Sequence, residues 1–166
     1  TRQVVFAARK ESLSRIICIS SLSVYGKAES SVCIDDNTPA SPVDIYGMTK
    51  LMGELELSSS LVSSETDWVV LRPPMVYGEQ CPGNLYRLLW LCKYSPLLPF
   101  KSFRKPRTFI SVSNLVTAIS ACLDNPKLSN QAFVVCDRFS VSTFSIVSSF
   151  LVGLNLSHFK LFFVSP

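Results

Sequence analysis

A chain of 166 residues, 48% hydrophobic and 17% charged, is long enough for one good buried core and reads as globular. Its formal charge of +4 comes from scattered lysines and arginines, which excludes a nucleic-acid-binding face as the main reading. His158 is the single histidine, and the six cysteines form no C-x-x-C pair, which argues against a zinc or other metal site. No apolar run of 18 residues occurs, so neither a membrane span nor a secretory signal is expected. Cys18, Cys122 and Cys136 lie inside apolar segments and read as small core residues in a reducing, cytoplasmic compartment.

In chain order, Thr1–Lys10 carries Val4, Val5, Ala7 and Ala8 at helical spacing. It begins without a cap or a loop, as if inside a larger domain. Ile16, Ile17 and Ile19 form a short β-branched run, as expected of a parallel strand buried on both faces. That strand ends in the hydroxyls Ser20, Ser21 and Ser23, at the edge where open α/β sheets hold ligands. Residues 27–44 carry Pro39, Pro42, Asp35 and Asp36 without helical or strand period, and read as a surface loop. Asp44 is placed to cap a helix running to about Val62.

Asp67–Pro74 predicts a second buried strand stopped by Pro73 and Pro74. Asn84–Tyr94 predicts a helix with Leu85, Leu88, Leu89 and Leu91 toward the core, and Asn84 at its entrance. Leu97–Phe109 reads as a loop and edge segment. Its Arg104, Lys105 and Arg107 make the one dense basic cluster, either a solvated turn or an anion contact. Ser113 is expected to cap the helix NLVTAISACL. Ala132–Asp137 is expected to be a strand, Ser142–Leu151 a helix stopped by Gly153, and Phe159–Val164 a final strand.

Tyr46 and Lys50, four residues apart, fall on one helical face one turn from each other, and Ser21 stands at the preceding strand end. A strand-end hydroxyl, a phenol and an ammonium together make a proton-transfer constellation. A phenol ionises near pH 10, so base catalysis at neutral pH calls for a positive charge beside it.

Taken together, S-S-x-x-V-Y-G, the Tyr46-Gly-Met-Thr-Lys50 segment 25 positions after Ser21, and LRPPMVYG resemble the extended short-chain dehydrogenase/reductase family. Within it they are similar to the NAD-dependent nucleotide-sugar epimerase/dehydratase branch, UDP-glucose 4-epimerase-like. The resemblance implies an α/β chain: the second half of a Rossmann-like doubly wound parallel sheet plus part of a small α/β substrate lobe. Residues 1–166 would be one partial domain, with the Rossmann half to about residue 80 and mixed substrate-lobe and returning sheet elements from about 81. The resemblance gives Ser21, Tyr46 and Lys50 the catalytic roles. Tyr46, Lys50 and Pro74 would meet NAD, and Ser21, Ser23, Asn84 and Arg107 a nucleoside-diphosphate sugar. A family-like homodimer is implied as well.

Many relatives have His and Asp at the positions of Ser111 and Ser113, a change that bears on structure more than on chemistry. The family's G-x-x-G-x-x-G turn is not found among the six glycines. The chain is therefore expected to be a fragment that neither binds NAD tightly nor turns over substrate alone. The Thr1–Lys10 helix and the central strand are each expected to lack a packing neighbour on one side, with an exposed sheet edge or apolar patch as the result. Two other readings stand beside the 4-epimerase or 4-keto reductase: a non-catalytic truncated relative or binding scaffold, and a dehydrogenase/reductase of another alcohol such as a steroid or flavonoid.

Overall fold

The computed structural model describes residues 1–26, 34–79 and 84–156. The elements begin with α1 (Arg2–Lys10), β1 (Arg15–Ile19), a 3-10 turn (Leu22–Tyr25), α2 (Ile45–Ser60), β2 (Asp67–Arg72) and β3 (Met75–Tyr77). They continue with α3 (Asn84–Tyr94), β4 (Pro106–Arg107), β5 (Phe109–Ser111), α4 (Val112–Asp124) and a second 3-10 turn (Pro126–Leu128). The last are β6 (Gln131–Val134), β7 (Val141–Ser142) and α5 (Thr143–Gly153). The strand expected at Phe159–Val164, the first part of the surface loop, Cys33, Cys81 and His158 lie outside the described residues. The chain divides into two compact units, Thr1–Pro74 with Val112–Cys136, and Met75–Ser111 with the segment from Asp137 onward.

The first unit holds a parallel sheet in the order β1-β2-β6. Parallel neighbours need crossover connections, which α2 supplies between β1 and β2 and α4 supplies on the way from β2 to β6. β2 is the middle strand, and Val69, Val70 and Leu71 are at most 1% exposed. Alternation along the strand sorts them between two cores. Val70 packs with Val5, Leu57 and Leu61 from α1 and the end of α2. Val69 and Leu71 pack with Cys122 and its α4 neighbours Ala118 and Ile119. Helices thus cover both faces of the sheet, as in doubly wound folds.

β1 departs from the sequence expectation of a strand buried on both faces. Its residues are half-buried, and Ile19 is exposed, because β1 pairs with β2 alone and is an edge strand among the described residues. In α1, only Val5 and Ala8 turn inward, while Val4 faces out.

The starts of β1 and β2 are clasped by polar groups. The Arg15 guanidinium meets the Asp67 carboxylate at 3.2 Å and donates to the Ser129 hydroxyl at 2.6 Å. It also donates to the carbonyls of Cys122 and Asn125 at the end of α4. The hydroxyl of Ser129 donates to Asp67 at 2.6 Å. This hydrogen bond first, and then the Arg15 contact, hold the Asp67 carboxyl below its usual range.

The start of α2 is fixed differently. Asp44 caps it as expected, accepting from the Gly47 amide at 2.6 Å. Gly47 itself is pressed against the 3-10 turn. A Cβ there would lie 2.4 Å from the Ser23 carbonyl oxygen, inside any real contact distance. Glycine is therefore what lets the first turn of α2 touch the segment that follows β1. Gly26, at φ 69°, closes the same turn in a left-handed conformation that favours glycine.

In the second unit β3 pairs parallel with β5 and β4 antiparallel with β7. α3 and α5 enclose Cys92, Leu98, Val147 and Leu151. Three sequence expectations are corrected, one in this unit and two in the first. Leu91 is exposed and Cys92 buried, because the inward face of α3 is turned toward α5 by one position. α4 begins at Val112, so Ser113 sits inside the first turn and not at the cap. α5 does end on Gly153, as expected, and the left-handed residue beyond it is Asn155, at φ 54°. β6 ends at Val134, and Cys136 is exposed instead of buried. Asp137 beyond it belongs to the second unit: its amide donates to the Phe109 carbonyl, and its carboxylate accepts from Tyr77 at 2.8 Å and from the Ser111 amide at 3.3 Å.

Two outcomes follow from these contacts. Gly47→Ala should destabilise the chain by about 1–3 kcal/mol, the scale of an overpacked contact against backbone. Gly153→Ala, where a Cβ meets nothing within 4 Å, should be neutral or slightly stabilising. Paired thermal melts check the contrast. Because the folded-state pKa of Asp67 is lowered, its stabilising effect is present above the unfolded carboxylate pKa of about 3.9. It is lost as the pH falls through the lower folded value. Asp67→Asn should therefore be less stable at pH 7 and show a smaller loss on acidification, measured by denaturant titration at pH 7 and in the acid range.

Candidate active site

The candidate site lies at the carboxyl end of β1. Ser20 and Ser21 follow the strand directly, the Ser20 amide donating to the Leu71 carbonyl at 2.8 Å and continuing the ladder by one step. Leu22 then donates to the Pro73 carbonyl at 2.8 Å, which ties the start of the turn to the end of β2. Ser21 caps the 3-10 turn: its hydroxyl accepts from the Ser23 amide at 3.1 Å and donates to the Ser23 hydroxyl at 3.1 Å. Both serines are half-buried.

Above this turn sits the first part of α2. Tyr46 precedes Gly47, so the close approach of Gly47 to Ser23 fixes where its phenol begins. Tyr46 is 55% exposed. Lys50, one turn on, donates from Nζ to the Ile19 carbonyl at 3.2 Å. The same Nζ lies 5.7 Å from the centre of the Tyr46 ring. A cation is thereby held between the end of β1 and the phenol by a bond to backbone. This arrangement can bind an oxygen-bearing ligand, carry a proton to or from it at Tyr46, and stabilise negative charge.

The other predicted residues are placed as follows. Pro74 is half-buried just after β2 in the same unit. Asn84 and Arg107 belong to the second unit. Asn84 is the exposed first residue of α3, and Arg107 is exposed in β4 opposite Val141. Of the basic cluster, Arg104 lies over the Phe144 ring at 4.7 Å. A cleft of about 750 Å³ opens at the far end of α2, lined by Met52, Leu55, Trp68 and Asn130 among others. Ser21, Tyr46 and Lys50 do not line it. That hollow has Glu56 and several serines in its wall but no phenol or ammonium, so the strand end carries more chemistry.

Sequence reasoning missed a polar network beneath the site. Glu54 is 5% exposed, and the Ser20 hydroxyl donates to it. Arg72, the last residue of β2, forks onto the same carboxylate through Nη2 at 2.6 Å and Nε at 3.1 Å. Its Nη1 donates to the Tyr25 phenol at 2.7 Å, and the guanidinium lies 5.1 Å from the centre of that ring. Burial acts against the Arg72 charge, but the bonds to Glu54 and Tyr25 outweigh it and hold its pKa above the usual value. Two signals in the sequence point to the pair. Glu54 is on the Tyr46–Lys50 face of its helix, and Arg72 directly follows the apolar run of a buried strand. Cys18, beside this network, has its thiol pushed up by burial and then by the Glu54 charge, which suits a core thiol and not a nucleophile.

Among the described residues no group of three or more His, Cys, Asp or Glu side chains is placed to hold a metal ion. No helix among them is long and apolar enough to cross a membrane.

This geometry can be set beside known proteins. The chain is 35% identical over 147 residues to UDP-glucose 4-epimerase of Vibrio cholerae, covering 86% of the chain and 44% of that relative. It thus spans less than half the length of this curated relative. A solved UDP-glucuronic acid 4-epimerase from Bacillus cereus in complex with NAD matches 99% of the chain with 54% of its own. The TM-score is 0.86 at 24% identity, which shows the shared fold. A Bacillus cereus structure of the same description, with UDP-glucuronic acid and NAD bound, gives 0.84 at 25% identity over 99% of the chain and 53% of its own. A profile described as the NAD dependent epimerase/dehydratase family matches residues 1–136. The chain, with its parallel Rossmann-like sheet and strand-end hydroxyls, belongs to the NAD-dependent epimerase/dehydratase family.

Proposed function

We propose that this chain carries the catalytic helix and the sugar-binding part of a nucleoside-diphosphate-hexose 4-epimerase or 4-keto reductase that works with NAD. The observation that carries the reading is the placement of Tyr46 and Lys50. They stand one turn apart on α2, with Lys50 anchored to the Ile19 carbonyl and the adjoining Gly47 seated on the Ser21–Ser23 turn. The 35% identity to a UDP-glucose 4-epimerase supports the substrate class.

The residues present fit one end of NAD. The exposed Tyr46 phenol and the Lys50 ammonium suit the nicotinamide ribose, and the backbone at Pro74 suits the ring. A pyrophosphate cradle needs a glycine turn at a helix N-terminus, and no three of the six glycines here stand in that spacing. When bound, NAD supplies hydride acceptance and return.

The chain's own residues do the rest. Ser21 holds the sugar oxygen at the reacting carbon by a hydrogen bond. Tyr46 takes the proton from that oxygen as its carbon is oxidised and gives it back on reduction. Lys50 stabilises the negative charge that develops on the Tyr46 oxygen. Ser23 supports the Ser21 hydroxyl and a neighbouring sugar hydroxyl. Asn84 and Arg107 take the diphosphate, the planar fork of Arg107 matching two phosphate oxygens. The reading extends to a cytoplasmic homodimer.

The test is a hybrid in which this chain replaces the segment it matches in the Vibrio cholerae epimerase. The hybrid should interconvert UDP-glucose and UDP-galactose. Tyr46→Phe, which keeps the ring and removes the ionisable oxygen, should lower kcat by roughly 10²-fold or more with an unchanged thermal melt. Turnover retained by the Phe variant would overturn the assignment.

A further inference from the structure

Glu54 has no chemistry in this reading, yet among the described residues it is the one charged residue in the buried class. A carboxylate out of water is costly unless its oxygens are fully met. Here they are met by the two-nitrogen fork of Arg72 and the Ser20 hydroxyl. The remaining Arg72 nitrogen holds Tyr25. The four partners come from four places: the end of β1, the end of the 3-10 turn, α2, and the end of β2.

Each adjoins a residue of the site. Ser20 precedes Ser21, Tyr25 lies two past Ser23, Arg72 lies two before Pro74, and Glu54 is one turn past Lys50. An apolar cluster of the same volume would fill this space without fixing direction, whereas a bidentate fork fixes both distance and plane.

We propose that the Glu54–Arg72 pair is the positioning element of the active site. It locks the Ser20–Tyr25 turn to α2 and so sets where the Ser21 hydroxyl stands relative to Tyr46 and Lys50. Glu54 and Arg72 touch no substrate; they act through Ser20, Tyr25 and the helix. This inference rests on the roles given above to Ser21, Tyr46 and Lys50.

The test uses the same hybrid, saturated with NAD, with kcat expressed per folded, NAD-loaded enzyme. Glu54→Gln keeps the shape and an acceptor for Ser20 but removes the charge that faces Arg72. It should lower kcat by roughly 10- to 100-fold, the scale of a small misplacement of reacting groups, with KM for the nucleotide sugar within about threefold. Leu57→Ala is the control: it opens the apolar core on the same helix without touching the pair. It should lower the melting temperature and leave kcat per folded enzyme within about twofold. Tyr25→Phe removes one hydroxyl from under Arg72, keeps the ring, and should give a smaller kcat loss. It serves as the deciding variant should Glu54→Gln fail to fold. Glu54→Gln, or Tyr25→Phe in its place, with kcat unchanged and only stability reduced would overturn the positioning role, and so would a kcat loss in Leu57→Ala as large as theirs. Tyr46→Phe run alongside separates the causes. If it is inactive while Glu54→Gln turns over normally, only the positioning role falls. If it stays active, the catalytic assignment falls and this inference with it.

Discussion

The contact on which the direction of the first unit's strand ends and helix depends is the buried ion pair between Glu54 and Arg72. Removing one partner of such a pair typically costs about 3–5 kcal/mol, because the other charge is left stranded away from water. The pair is also the meeting point of the two strand ends and the helix above them, through Ser20, Tyr25 and the carboxylate itself. Hydrophobic packing on the two faces of β2 supplies the bulk of the driving force, with Val69, Val70 and Leu71 shut off from solvent. That packing is non-directional, whereas the ion pair and the Gly47–Ser23 approach are directional. The first makes the sheet compact; the second fixes the angle at which α2 crosses the strand ends.

Polar groups are divided between the two ends of β1 and β2. At their starts, Arg15, Asp67 and Ser129 form a half-exposed clasp that ties the strands to the end of α4. At their ends, the network is buried and lies next to the hydroxyl turn. The reactive types, Ser21, Tyr46 and Lys50, sit on the second end only. This is where a parallel sheet exposes its ligand side. The proposed site thus lies at the ligand edge of the sheet.

Much of this was legible in the sequence because it is carried locally. The apolar run at Ile16–Ile19, the stop at Pro73-Pro74 and the Asp44 cap each depend on a few adjacent residues. So does the i, i+4 spacing of Tyr46 and Lys50, and the structure has all of them. What was not legible depends on partners far away in the chain. Gly47 carries no sign of its own that Ser23 will press against it. Glu54 shows in the sequence only as a charge on the Tyr46–Lys50 face, and that Arg72, 18 residues on, faces it is decided by the packing of α2 on β2. Cys92 and Leu91 differ by a single position, about 100° around α3, and only the placement of α5 decides which is inside. The one-sided pairing of β1 was expected, and among the described residues β1 has β2 as its one neighbour; what its isoleucines did not reveal is that the strand is only half-buried.

The central claim is that the strand ends, the serine turn and the start of α2 form one rigid frame. Native-state hydrogen exchange of the unmodified chain tests it most directly. The amides of Ser20, Leu22 and Gly47, each held by a bond of 2.8 Å or less, should open only with the core of β2. Protection equal to that of Val69–Leu71 is the predicted result. Exchange of these three through a separate, low-energy opening, while β2 stays protected, would contradict the account.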